Sequence, residues 1–322
     1  MYKYNKNFFY IYIIFLIFPL NAGYKIAFGS CLDQKLPQPI WSAIEKENIN
    51  SFIFLGDNVY GDKPDGNIEY LKQAYAIQGK KLPAWLKQKD LMVIWDDHDY
   101  GVNDGGSDYY NKKISQEIFL KFWNINLDDK RYSREGIYFS SYKNINGFKV
   151  HFIGLDTRFF RSRLKGKRKR YVPNNDENAT ILGNQQWAWL KKELELKSDI
   201  KVIMSSIQIL ASSHRFEKWS NFPHERNQLL DLLKNKTNAK NILLISGDRH
   251  RGGIYKLDNI VEITASSLNK PGSIKTETDP LLIGKTHPNE NYGLMEISNN
   301  KLIIYLKDIN GALLESINIS IN

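Results

Sequence analysis

The run Leu91 to Trp95 is continuously apolar and breaks abruptly into Asp96-Asp97-His98-Asp99-Tyr100-Gly101. A short apolar run of this kind reads as a buried strand. Side chains that leave the end of a buried strand are held rigidly, which is where a metal site places its ligands. Three carboxylates and an imidazole in four successive positions repel one another and resist burial. A cation at the strand end removes both difficulties. The competing reading, a solvated acidic turn, weakens as similar strand ends accumulate along the chain.

The 322 residues suffice for one large domain or two small ones, and 42% hydrophobic with 25% charged residues is an ordinary globular balance. No internal repeat of fixed period appears. The amino terminus has its own pattern. Lys3 and Lys6 precede an apolar run from Phe8 to Leu20, and Asn21-Ala22 closes it with a small residue. This is the layout of a secretory signal peptide, and the run is short for a membrane span. The expected division is a signal peptide over 1–22 and one domain over 23–322, with the product periplasmic or secreted. The alternative is a membrane anchor through residues 8–20. Cys31 is the lone cysteine, so no internal disulfide can form.

The formal net charge is +10, and Arg161, Arg163, Lys165, Lys167, Arg168, Lys169 and Arg170 concentrate much of it in ten positions. Such a run favours anionic substrates, an anionic membrane face or an envelope polymer. It lacks aromatic interleaving and any nucleic-acid motif, so specific nucleic-acid binding is not expected. It reads as a solvated loop. The sequence does not speak to oligomeric state.

Further apolar runs end in polar tips. Tyr24 to Gly29 leads to Ser30-Cys31, Ser51 to Leu55 to Gly56-Asp57-Asn58-Val59-Tyr60-Gly61-Asp62, and Lys149 to Leu155 to Asp156-Thr157-Arg158. Lys201 to Met204 leads to Ser205-Ser206-Ile207-Gln208, and Asn241 to Ile245 to Ser246-Gly247-Asp248-Arg249-His250. Helical spacing lies between them, as in Tyr70, Ala74 and Ile77 or in Trp187, Leu190 and Leu194. Strand, tip and helix in repetition give an α/β fold with ligands at the carboxyl ends of strands. The strand-rich tail after Ile260 points to a second sheet. Thiolate, phenolate and imidazole suit a transition metal, ferric iron above zinc. Carboxylates and amide oxygens suit calcium, magnesium or manganese. Asp57 stands where it can bridge, and two bridged metals with an activated hydroxide are a standard device for phosphoester hydrolysis.

The tips together resemble the alkaline phosphatase D (PhoD-like) family of the calcineurin-like metallophosphatase superfamily. The residues that carry the resemblance are Gly29-Ser30-Cys31, Gly56 to Asp62, Trp95 to Asp99, Leu155 to Arg158, Leu182-Gly183 with Gln186 to Leu190, and Gly247 to His250. It implies a four-layer αββα metallophosphatase sandwich, two mixed β-sheets flanked by helices. It also implies a phosphoric ester hydrolase that cleaves phosphate monoesters or diesters with Fe3+ and Ca2+, or with Mn2+, Mg2+ or Zn2+ in their place. By position, Cys31, Asp57, Tyr60 and His250 would hold the iron, and Asp57, Asp97 and Asp248 the calcium. His98 would contact the phosphate or protonate the leaving group. Arg158 is a candidate phosphate clamp by its guanidinium chemistry, or else a salt-bridge partner of Asp156 or Asp97. Asn58, Asp96 and Gln208 are further candidate contacts to metal or substrate. The strand of Tyr24 to Gly29 follows the leader almost directly, so the added amino-terminal β domain of larger relatives is not expected. Two other functions stay open. One is a phosphodiesterase of the phospholipase C or D type, acting on phospholipids or envelope polymers. The other is a non-catalytic calcium-binding envelope protein.

Overall fold

The computed structural model describes residues 23–298 and 301–321; the expected signal peptide over 1–22 lies outside them. In chain order the elements are β1 (Tyr24–Gly29), α1 (Ile40–Lys46), β2 (Ser51–Leu55), α2 (Ile68–Lys81), β3 (Asp90–Ile94), the single turn α3 (Asp97–Tyr100) and α4 (Lys112–Phe122). There follow β4 (Phe139–Ile145), β5 (Phe148–Gly154), β6 (Lys165–Lys167), β7 (Arg170–Val172), α5 (Gly183–Glu195), β8 (Ser198–Ser205), α6 (Pro223–Asn235) and β9 (Ala239–Ser246). The chain ends in β10 (Arg251–Leu257), β11 (Ile260–Ser266), β12 (Leu282–His287), β13 (Asn291–Ser298), β14 (Lys301–Asp308) and β15 (Leu313–Ser320).

Two large sheets result. One runs β15-β14-β13-β1-β2-β3 and the other β12-β10-β11-β9-β8-β5-β4. Within them β1, β2 and β3 are parallel, as are β5, β8, β9 and β11. Parallel strands are covered on both faces, which is why they read as unbroken apolar runs. The main core lies where the sheets face each other, with Ile53, Leu55, Phe152, Val202, Leu243 and Ile263 all fully buried in it. Outside the first sheet, Trp41 of α1 and Trp123 after α4 pack edge-on or tilted against Phe52 and Phe54. Outside the second sheet, α5 and α6 bury Trp187, Leu190, Leu229 and Leu233 against Ile153, Ile203 and Leu244. This is the αββα sandwich expected from the sequence. Among the described residues no helix is long and apolar enough to cross a membrane.

Two local expectations are corrected. Helix α2 buries Leu71, Ala74, Tyr75 and Gln78, whereas Tyr70 and Ile77 are each 43% exposed. Both sets fit a helical period, and the ring of Phe122 on α4, 4.5 Å from that of Tyr75, decides which face turns inward. The basic stretch is no irregular loop either: β6 and β7 pair antiparallel as a separate two-stranded hairpin.

Candidate metal centre

Parallel strands from both sheets deliver their carboxyl ends to one place. A bridge between Ser30, after β1, and Ser266, at the end of β11, ties the two sheets together there. Cys31, Asp57, Asp248 and His250 all take left-handed backbone conformations, with φ of 59°, 51°, 64° and 51°. Asp and His tolerate that region better than most residues, but for Cys it is uncommon and costs on the order of 1 kcal/mol. Strain of this kind persists where the surroundings over-determine a residue, and it clusters at functional sites. Gly56, at φ 97°, makes the preceding turn; a Cβ on it would lie 2.6 Å from that of Asp96. Gly61, at the other side of the tip, serves packing. A Cβ there would lie 2.7 Å from the Leu71 Cα, so it lets the tip pack against α2.

Three overlapping groups of ligand atoms form, and Asp57 belongs to each; one of them, Asp57, Asp97 and His98, shares two carboxylates with the acidic group. Cys31, Asp57 and His250 lie within 4.8 Å of one another, as do Asp57, Asp96, Asp97 and Asp248. The Tyr60 hydroxyl is 3.1 Å from Asp57 Oδ2 and 3.4 Å from His250 Nε2, so it joins the first group. Ser266 Oγ lies 3.2 Å from Cys31 Sγ and accepts the His250 backbone N–H, while His250 Nδ1 contacts the Lys270 carbonyl. That contact leaves Nε2 as the ligating nitrogen.

The residues fit cations. Asp96 Oδ2, Asp97 Oδ1 and Asn58 Oδ1 are buried acceptors with no hydrogen-bond donor. Unsatisfied acceptors gathered around four carboxylates mark a place where only positive charge relieves the burial. Burial lifts Asp57 and Asp96 well above the ordinary carboxylate range, Asp248 to about 6 and Asp99 to about 7. Burial also acts upward on Asp97, but His98, Arg158 and the Asp104 amide outweigh it and hold that group low. Burial raises Cys31 and Tyr60 and lowers His250.

A stability prediction follows from these directions. Carboxyls raised in the fold bind more protons there than in the unfolded chain, where they titrate near 4. The metal-free protein therefore loses their contribution as pH rises from about 4 through the folded values of Asp248 and Asp99. A bound cation keeps its carboxylate ligands, Asp248 among them, ionised and removes their share of the loss. The gain in Tm on reloading stripped protein with divalent cations should thus widen from about pH 5 to about pH 8. Differential scanning fluorimetry reads it, and a constant or shrinking gain would refute the cation fit.

The remaining site residues divide. His98 lies beside the centre: its backbone N–H donates to Asp57 Oδ1 and its ring packs on Tyr60 at 4.2 Å between centroids. Burial acts downward on its imidazole, but Asp97, Asp57 and Asp62 hold it well above its ordinary value. Asp62 contacts His98 Nδ1 at 2.6 Å, a partner for which sequence reading assigned no role although the motif contains it. Asp99 proves structural: its carboxylate accepts from the backbone of Asp96 and Asn58 and closes the turn of α3.

Arg158 is not the clamp expected of it. Its side chain is fully buried and engages Asp96 and Glu217, leaving no face toward a substrate. The salt-bridge alternative holds in kind but with other partners than Asp156 or Asp97. Ser206 adds a second donor to Asp96 Oδ1 at 2.6 Å. Gln208 donates its amide to Thr264 Oγ1, and no described hydrogen bond joins it to the acidic group. The nearby histidines serve elsewhere: His224 contacts the Ala179 carbonyl, and His214 accepts the Phe216 N–H.

Known proteins share this architecture. The family model described as PhoD-like phosphatase matches residues 129–310, more than half of the chain. A solved structure of PhoD superposes with a TM-score of 0.67 at 16% identity, over 93% of this chain and 68% of that one. GAP50, described as the anchor in the inner membrane complex of Plasmodium, gives 0.64 at 13% identity over 94% of this chain and 90% of its own. The purple acid phosphatase PPD1 of yellow lupin (Lupinus luteus) gives 0.57 at 12% identity, over 93% of this chain and 54% of that one. At such identities the structural likeness speaks for the fold alone. No curated protein matches the chain.

Proposed function

We propose, from the premise that the chain belongs to the PhoD-like phosphatase family, that this phosphoric ester hydrolase cleaves phosphate monoesters or diesters at a two-cation centre built on Asp57. The observation that carries the reading is the membership of Asp57 in both the cysteine-bearing and the acidic ligand group. Cys31, Asp57, Tyr60 and His250 would hold Fe3+, since thiolate and phenolate match a transition ion. Asp57, Asp97 and Asp248, joined by Asp96, would hold Ca2+ or another hard divalent ion. When bound, the pair would supply Lewis acidity to the phosphoryl oxygens and lower the pKa of an attacking water.

The chain's own groups do the rest. His98 is held as an imidazolium by the surrounding carboxylates and can give a proton to the departing oxygen. Asp62 occupies Nδ1, so Nε2 is the nitrogen left for that transfer. Arg158 and Ser206 fix Asp96 by bonds to one of its oxygens, leaving the other for the cation. Export through residues 1–22 completes the proposal.

One preparation tests it. Protein purified from cells is assayed for metals, visible absorption, amino-terminal residue and turnover of a chromogenic monoester and diester. The expected result is iron with calcium, a charge-transfer band from phenolate or thiolate, a terminus near Gly23, and hydrolysis of at least one ester. Calcium alone, with neither colour nor turnover, would return the protein to the non-catalytic class.

A further inference from the structure

The short segment Asn269-Lys270-Pro271-Gly272, just after β11, touches three of the four residues assigned to the iron half of the centre. The Asn269 N–H donates to the Cys31 carbonyl at 3.4 Å. The Lys270 carbonyl accepts from His250 Nδ1 at 2.5 Å, and the Gly272 N–H donates to the His250 carbonyl at 3.1 Å. A Cβ on Gly272 would lie 2.9 Å from that of His250, so glycine is what lets the segment come this close. The Lys270 ammonium lies over the Tyr60 ring, 3.8 Å from its centroid.

That ammonium is held in place. Its ion-pair partner is Asp33, whose side chain is only 7% exposed. Asp33 is fixed in turn by Asn269: its N–H donates to Asn269 Oδ1 at 2.7 Å, and its carbonyl accepts from the Asn269 amide. Gln34, the next residue, clasps the Tyr60 backbone by accepting its N–H and donating to its carbonyl. The loop after Cys31 and the segment after β11 thus lock cation and ring together. A lysine needed only to neutralise Asp33 has no use for the ring. A neutral phenol attracts a cation through its quadrupole, but a metal-bound phenolate attracts it through full charge. A fixed positive charge against a phenolate holds the ring's electrons and makes it a weaker donor to its metal.

We infer that Lys270 is a positioning residue of the iron half, whose ammonium weakens donation by Tyr60 and so sharpens the Lewis acidity on which hydrolysis draws. The inference rests on the ferric reading of Cys31, Asp57, Tyr60 and His250.

The side chain can be changed without touching the carbonyl that orients His250. Lys270→Met keeps the length and removes the charge. Its iron content should match wild type, and its charge-transfer band should move to longer wavelength, because the phenolate gives up an electron more readily. Its kcat should fall at least roughly tenfold while KM stays within about twofold. Lys270→Arg keeps a cation that can lie on the ring and should restore most of both the band and kcat. Removing the lysine also strands the buried Asp33 carboxylate, so Lys270→Met/Asp33→Asn is measured beside it and should keep the shift to longer wavelength. A shift that vanishes in the double variant belongs to the stranded carboxylate and overturns the inference. An unmoved band in Lys270→Met also overturns it, and a raised KM with that unmoved band would make Lys270 a substrate contact. Wild-type protein without iron or a visible band fails the ferric reading itself and takes the inference with it.

Discussion

Replacing Asp57 with asparagine should lower kcat/KM by at least about 1000-fold, roughly 4 kcal/mol of transition-state stabilisation, and deplete both metals together. The argument is geometric. Asp57 is common to both ligand groups, and among the described residues no other single carboxylate touches both halves of the centre. Under the proposed ferric assignment, Asp97→Asn removes a ligand from the acidic group and should leave the metal held by Cys31, Tyr60 and His250, and its visible band, in place. Fold integrity separates the two explanations for a dead enzyme. Burial penalises the ionised Asp57 carboxyl in the absence of a cation. An asparagine there carries no such penalty, so metal-free Asp57→Asn should melt at or above metal-free wild type. Metal analysis, the visible spectrum and Tm of the stripped proteins decide the matter. Retention of both metals by Asp57→Asn, or near-normal turnover, would break the assignment.

Much of this was legible in the chain because the informative strands are buried on both faces. β2 reads Ser51-Phe52-Ile53-Phe54-Leu55 and β9 carries Ile242-Leu243-Leu244-Ile245, and a run without polar interruption has few other places to go. The polar residues at the ends of such strands fall at the site by topology alone. The same logic fails for strands that owe their place to neighbours. β10 begins Arg251-Gly252-Gly253, and β12 is an edge strand reading Leu-Ile-Gly-Lys-Thr-His, so neither carries an apolar signature. The hairpin of β6 and β7 is wholly polar apart from Tyr171 and Val172, and its anchor is a tertiary contact to Asp104. Long-range polar partners are the other blind spot. Glu217 is 59 residues from Arg158, and Asp62 is 36 from His98. No periodicity announces either pair; a buried arginine needs an acid somewhere, and only the fold says which.

Arg158 supplies the second large effect, and it should appear in stability. The guanidinium is fully buried between Asp96 and Glu217, and Arg161 approaches Glu217 at 2.8 Å from the other side. Removing Arg158 leaves Asp96 charged without its cation and Glu217 with Arg161 alone, and breaking a buried ion network in this way costs about 3–5 kcal/mol. Arg158→Met should therefore lower Tm by on the order of 10 °C in a chain of this size. A phosphate clamp would behave otherwise, raising KM sharply with Tm unchanged. Arg158→Lys should rescue little, since one ammonium cannot reproduce a planar fork that reaches two carboxylates. The double variant Arg158→Met/Glu217→Gln is the sharper measurement. Each single variant already forfeits the Arg158–Glu217 ion pair, so the double variant should lose at least about 1 kcal/mol less than the sum of the single variants. Strict additivity would mean that Arg158 and Glu217 do not stabilise each other. The buried chain from Glu217 through Arg158 to Asp96 would then have to be given up as the device that aims Asp96 at the cation.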